Sequence, residues 1–403
     1  MVGRSRDPVL GAGHGTELTA TMRAADSASD VLGGYLRARA ADLLRGLRAH
    51  AESAGSAEGA ARAAEAVDTL RAAARRLNGA LHTYRPLLDP SWADQLRTEL
   101  SWLSGTLARE YAYAARLERL LGALHRLASG AREPAEGAGP VAGPVAGPVA
   151  GSVAPAAGDK RAEDARAPGG RPSARGGAAS GERGALPVGA ARAGALLDRQ
   201  LTLSRTRAHS AALQALGSAR FHAVADAVAV LASEVPFRDG AKAAGDQPAD
   251  AVLPQLAEHA RKHLAEAVGA LPLSRAGAPY NADALARSLA TEAWQDAAWH
   301  QVRVLLRLHR YAQEVLGQPA DADPRLVPAG AALERHRDAA EAAAAAASAA
   351  ATPRIAPATA YALGVLHADQ RHEVEGARFV FGRLWGQSPL PPPPSPRGET
   401  RKS

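Results

Sequence analysis

Arg303, Arg307 and Arg310 follow His300 at offsets of 3, 7 and 10 residues. On an α-helix turning about 100° per residue, those offsets share one narrow face. A row of guanidiniums headed by an imidazole offers forked, charge-assisted donors, the chemistry of holding a polyanion rather than of breaking a bond. The row has an earlier counterpart. Residues 67–78 align without gaps on residues 299–310 and place Asp68, Arg71, Arg75 and Asn78 at the same offsets. One position ahead of each row runs a mainly apolar stripe: Val67, Leu70, Ala74 and Leu77 in the first copy, Trp299, Val302, Leu306 and His309 in the second.

The other flank of the second row is apolar too, with Val304, Leu305 and Leu308, and the first acid downstream is Glu314. A solvated basic face normally mixes in carboxylates one turn away. Anion binding is therefore the preferred reading for the second row, with a solvated face as its rival. In the first copy Asp68 leaves two readings open: a carboxylate that repels an anion, or an intrahelical partner for Arg71. His300 is either a donor to the same anion or a boundary histidine with no special task.

Composition sets limits on this chemistry. The 403 residues carry a formal charge of +7 and a pI near 10.0, which favours polyanionic partners. Only four basic residues are lysine, and an arginine- and alanine-rich bias is what GC-rich coding produces, so placement rather than abundance carries the argument. The absence of cysteine excludes disulfides, thiolate chemistry and cysteine-built zinc sites. His259 and His263 have the spacing of paired helical metal ligands but no third ligand nearby, so no metal site is expected. P-loop and nucleophile-elbow motifs are missing, and no enzymatic activity or cofactor is expected. Residues 1–16 lack an apolar signal core, and no apolar run approaches the roughly 18 residues of a membrane span. The expectation is a soluble, cytoplasmic protein with no membrane partner.

The elements that must position the rows are helices. Leu32, Leu36, Ala40, Leu43 and Leu47 recur at helical spacing from Asp30, with Ser29 or Asp30 as N-cap. The first row lies on a helix from about Ala60 to Tyr84, ended by Pro86 and Pro90. Leu96, Leu100, Leu103, Leu107, Tyr111, Leu117, Leu121 and Leu124 mark a long helix over 91–128, with Tyr111 on its apolar period. Helical patterning resumes near Ala191 and continues through 224–231, 252–271, 282–316, 329–351 and 358–385, without convincing strand alternation. Between lie Gly-Pro-Val-Ala units in a Gly/Pro/Ala-rich stretch whose composition predicts a disordered linker. The proline-rich segment from Ser388 is read as a disordered tail.

These segments together resemble the CHAD family, the conserved-histidine α-helical domain. Its halves open with patterns such as V-H-x-M-R-V-x-x-R-R-L-R and L-H-x-x-R-K-x-x-K-R-x-R-Y. Residues 84–93 (YRPLLDPSWA) with 100–105 (LSWLSG) are similar to its "FRPLLDPEWA … ELKWLAG" run. Leu333–Ala339 (LERHRDA) is similar to its "LGxHQDA" segment, and 362–385 to its closing helix. The match spans residues 26–386, and departures such as Asp68, Asn78, Val304 and Leu308 mark a degenerate member.

The resemblance implies an all-α fold of two pseudo-symmetric antiparallel four-helix-type bundles. The organisation expected is a disordered N-terminus (1–25), a first helical half (26–129), a linker (130–189), a second half (190–387) and a tail (388–403). The implied function is non-catalytic binding of inorganic polyphosphate, with recruitment to polyphosphate granules. His300, Arg303, Arg307 and Arg310 are expected to carry most of it, and Arg71, Arg75, Arg76 and Arg85 to extend the surface if the halves pack together. Two other classes stay open: a structural or protein-interaction domain without the ligand, and nonspecific nucleic-acid binding. Against the last stands an aromatic content of 4% with no base-stacking platform.

Overall fold

Leu32, Leu36, Ala40 and Leu43 are fully buried along one side of helix α1 (Ala28–Ser53). The computed structural model describes residues 26–53, 59–130, 178–238, 245–277, 294–319 and 322–386. The expected disordered N-terminus, residues 131–177 of the linker and the proline-rich tail lie outside these residues. α1 is capped by Ser27 rather than by Ser29 or Asp30: the Ser27 hydroxyl accepts from the Asp30 amide at 3.1 Å, the N3 position that a cap satisfies.

Helix α2 (Gly59–Thr83) carries the first row. It gives way to a 3-10 turn at Arg85–Leu87 that contains Pro86. Pro90 opens α3 (Pro90–Gly130), where a missing amide hydrogen leaves no bond unmade. Asp89 caps that start, its Oδ1 accepting from the Trp92 amide at 2.8 Å. With 41 residues, α3 is about 60 Å long. α4 (Ala178–Leu216) begins inside the expected linker and runs through Pro187. Packing accounts for the earlier start. Leu186 and Ala190 bury against apolar neighbours, and Gly189 lies so close to the Ala358 carbonyl that a Cβ there would overlap it.

The remaining helices are α5 (Ala219–Ser233), α6 (Ala249–Gly269), α7 (Trp294–Val315), α8 (Leu326–Ala350) and α9 (Pro357–Gly386). The fold is all-α. Among the described residues the only β pairings are isolated bridges, Ser27–Pro248 and Leu88–Phe237.

The apolar core divides into three main clusters that mix early and late helices. The first joins α1, α2 and the start of α3 to α5, α6 and the end of α7. In the second, Leu120 and Leu124 at the far end of α3 meet α4, α8 and α9. A third gathers Trp299, Val302 and Leu306 of α7 with Leu264 of α6, Leu333 of α8 and Phe381 of α9. Tyr111 packs, partly buried, against the first. α7 thus contributes to two clusters and lies directly against α2. Where they meet, a Cβ on Gly79 would fall 2.6 Å from Tyr311 Cδ2. A side chain there would force Tyr311 to shift, so glycine permits the close packing of the two motif helices.

Candidate functional site

Burial of the apolar stripes aims the rows. Val67, Leu70, Ala74 and Leu77 on α2, and Trp299, Val302 and Leu306 on α7, are at most 2% exposed. Each arginine row begins one residue later and therefore emerges at the boundary of its helix. Because α2 and α7 pack together, the two rows meet. Arg307 lies within electrostatic reach of Arg303 on its own helix and Arg75 on α2, while Arg71 feels Arg75 and Arg337 of α8. Five guanidiniums from three helices, Arg71, Arg75, Arg303, Arg307 and Arg337, form one group.

One carboxylate holds three of them. Glu334 of α8 accepts from Arg303 Nη1 at 3.2 and 3.4 Å. It pairs with Arg337 Nη1 at 3.0 Å and stands 3.8 Å from Arg307 Nη1. Burial would raise the Glu334 pKa, but Arg303, Arg337 and Arg307 outweigh it and hold the group ionised. Arg307 is pushed down to about 10, first by burial and then by Arg303. Arg71 is also lowered, by burial and then by Arg75. Cations crowded in this way are stabilised by any further anion placed among them. Arg303 Nε is buried without a hydrogen-bond partner among the described residues.

Other sequence candidates take different places. Arg310 extends the α7 row toward Gly330 on α8, whose Cβ would sit 3.5 Å from Arg310 Nη1. Asp68 is the intrahelical partner of Arg71 at 3.1 Å, with its side chain 75% exposed. Asn78 faces α3, donating to the Arg97 carbonyl at 3.0 Å and Ser101 Oγ at 2.8 Å. Arg76 turns toward α1 and α7: it pairs with Glu314 at 2.9 Å, and Glu314 also accepts from the Tyr35 hydroxyl. Arg85 sits in the 3-10 turn and is held by Asp94, with Nη2–Oδ2 at 2.7 Å. It lies about 15 Å along the chain direction of α2 from Arg75. Arg76 and Arg85 are therefore apart from the central group.

His300 is half-buried and meets the buried His336 edge-on, with ring centroids 5.6 Å apart. Burial, then Arg303, lowers its pKa, so it is a neutral imidazole able to donate a single N–H. Behind it lies a buried ion cluster. Asp296 accepts from Arg371 Nη1 at 2.8 Å and Arg378 Nη2 at 2.7 Å, and Glu375 takes the other end of Arg378 at 2.7 Å. His336 stacks on Trp299 with centroids 5.6 Å apart. This cluster locks the N-terminal end of α7 to α8 and α9 and so fixes where the second row starts. Among the described residues no three His, Asp or Glu side chains converge on a metal position.

Glu334 and Arg337 are the site residues that the two rows do not reveal. Their signal is the 3–4-residue spacing of Glu334, Arg337 and Glu341 on α8, a charged face legible only beside α7.

The family pattern of the CHAD domain matches residues 38–346, most of the chain. The chain belongs to the CHAD family. CHAD domains are associated with binding polyphosphate. A solved structure, PptA from Streptomyces chartreusis, is 48% identical; the match covers 90% of this chain and 100% of that one, with a TM-score of 0.64. No curated protein matches. In the family's L-G-x-H-Q-D-A segment, this CHAD domain carries Glu334 in place of the glycine and Arg337 in place of the glutamine. The carboxylate and one guanidinium at the centre of the group are thus departures from that pattern. No single helix among the described residues is long and apolar enough to cross a membrane.

Proposed function

We infer that this CHAD domain binds inorganic polyphosphate without chemical turnover, along a path over α2, α7 and α8, and that binding recruits it to polyphosphate granules. The observation that carries the reading is the meeting of Arg71 and Arg75 with Arg303, Arg307 and Arg337, an excess of guanidiniums around one shared carboxylate. A linear polymer with about one negative charge per phosphate suits donors strung across neighbouring helices, because bidentate Arg–phosphate contacts repeat along it. His300 supplies a neutral donor at one end of the path and Arg310 a cation at the other.

Titration of the purified protein with long-chain polyphosphate at two salt concentrations, with duplex DNA as competitor, tests the reading. Polyphosphate should bind with marked salt dependence and resist displacement by DNA. Equal competition by DNA would favour a nonspecific polyanion binder. Absence of binding at low salt would leave a structural role for the domain.

A further inference from the structure

We propose that Glu334 is a built-in competitor that sets the valency of the ligand, so that single phosphates and very short chains are refused and long chains are admitted. The proposal rests on the polyphosphate reading above. Its starting point is that an anion entering the group cannot engage Arg303, Arg307 and Arg337 together without taking the place of a carboxylate already there. Glu334 satisfies Arg303 at 3.2 and 3.4 Å and Arg337 at 3.0 Å, and it neutralises Arg307 from 3.8 Å.

For one phosphate the transaction is an exchange. A bond it gains at Nη1 of Arg303 or Arg337 is offset by one that Glu334 loses, and Arg307 is already partly neutralised by the same carboxylate 3.8 Å away. Arg337 gains least, since Asp338 and, at 3.8 Å, Glu341 also pair with it. The position on α2 differs. Arg75 has no ion pair among the described residues, and Arg71 is held only by the exposed Asp68. A chain that reaches from α7 to α2 adds these contacts without displacing Glu334 a second time. A long chain seated on α2 can extend toward α7 with Glu334 in place or displaced, so its binding depends on the exchange only in part, and its gain grows with each further phosphate. Glu334 is not sealed in: its side chain is 37% exposed.

The path of displacement separates this role from a general charge effect. Were Glu334 only lowering the local potential, removing its charge would help long chains at least as much as short ones, since they carry more charge. Displacement predicts the reverse, because a long chain can seat on the α2 cations with Glu334 still in place, whereas a ligand too short to reach α2 gains at α7 and α8 only by displacing it.

The experiment compares wild type, Glu334→Gln and Glu334→Asp for affinity to orthophosphate, tripolyphosphate and long-chain polyphosphate at one low salt concentration. Thermal melts and circular dichroism confirm that each is folded. Glu334→Gln should raise tripolyphosphate affinity about tenfold, the scale of one charge-assisted contact, and long-chain affinity by only a few-fold, so the long-to-short ratio falls. Glu334→Asp, which keeps the charge, should retain most of the wild-type ratio. An unchanged ratio in Glu334→Gln, or a rise in it, overturns the proposal while leaving polyphosphate binding intact. Failure of both wild type and Glu334→Gln to bind long chains overturns the functional reading itself, and this one with it.

Discussion

Arg75 is placed where removing it should help the fold and harm the site. It is half-buried on α2, its charge opposes Arg71 and Arg307, and no carboxylate pairs with it among the described residues. Substituting Arg75→Gln keeps the aliphatic stem and a polar tip but deletes the charge. Relief of like-charge contacts of this kind is worth up to about 0.5 kcal/mol, a rise of about 1–2 °C in melting temperature. Loss of one guanidinium–phosphate contact costs about 1.5–3 kcal/mol, or about 10- to 150-fold in affinity. The two effects therefore have opposite signs. Thermal denaturation monitored by circular dichroism reads the first, and calorimetric titration with long-chain polyphosphate at low salt reads the second. A variant that melts lower and binds as before would make Arg75 a structural residue and refute the idea of a site shared between α2 and α7.

Charge reversal at Arg71 and Arg75 together should abolish binding nearly as fully as reversal at Arg303 and Arg307, measured in the same titration; a mild loss from the first pair would confine the site to α7 and α8. Asp68→His frees Arg71 from its 3.1 Å partner and should raise affinity several-fold, a gain of on the order of 1 kcal/mol that shrinks as salt is added. Gly79→Val would drive a branched side chain into Tyr311, where even a Cβ lies at 2.6 Å, and should cost about 1–3 kcal/mol in urea denaturation while also weakening polyphosphate binding. Burial, then Arg378 and His300 against the pull of Asp296, pushes the His336 pKa down to about 4. Its folded value lies below the unfolded one near 6.5, so the unfolded chain binds the extra proton: stability is full above about pH 6.5 and falls as pH drops toward 4, by on the order of 3 kcal/mol. His336→Gln should be less stable at pH 7 yet lose less between pH 7 and 5, a difference that melting curves across pH would detect.

The all-α class was legible because apolar residues repeat every three or four positions over long spans, and each motif helix was found within a residue or so at its legible end. Arg71, Arg75, Arg303 and Arg307 were legible because a 3–4 spacing can only mean one helix face. What sequence left hidden was which faces meet. Asn78 looked like an eroded member of the first row, yet it turns to α3, because there its amide finds the Arg97 carbonyl and Ser101 Oγ. Arg76 and Arg85 are as basic as their neighbours, and only tertiary partners, Glu314 and Asp94, take them out of the group. Glu334 was invisible as a site residue for the same reason. Among the described residues no acid of α7 pairs with Arg303 or Arg307, and the carboxylate that does arrives from α8. The early start of α4 reflects burial that overrides a glycine- and proline-rich composition, a contest that local propensity cannot decide.

The crossing of α2 and α7 also has a meaning in time. Arg76 and Glu314, which tie the two helices together, are 238 residues apart in sequence. At a synthesis rate of about 5–20 residues per second, α2 leaves the ribosome roughly 12–48 s before its partner. Through that interval Arg75, beside an Arg71 held by Asp68, makes a basic stripe that any cellular polyanion can touch but none can clasp. On the polyphosphate reading, a ligand can bridge both ends of the chain only once α7 and α8 arrive, and from then on it would stabilise the joined state by mass action. The ligand would act as a clasp on a long loop of the fold, so polyphosphate should slow amide exchange at the α2–α7 seam most of all.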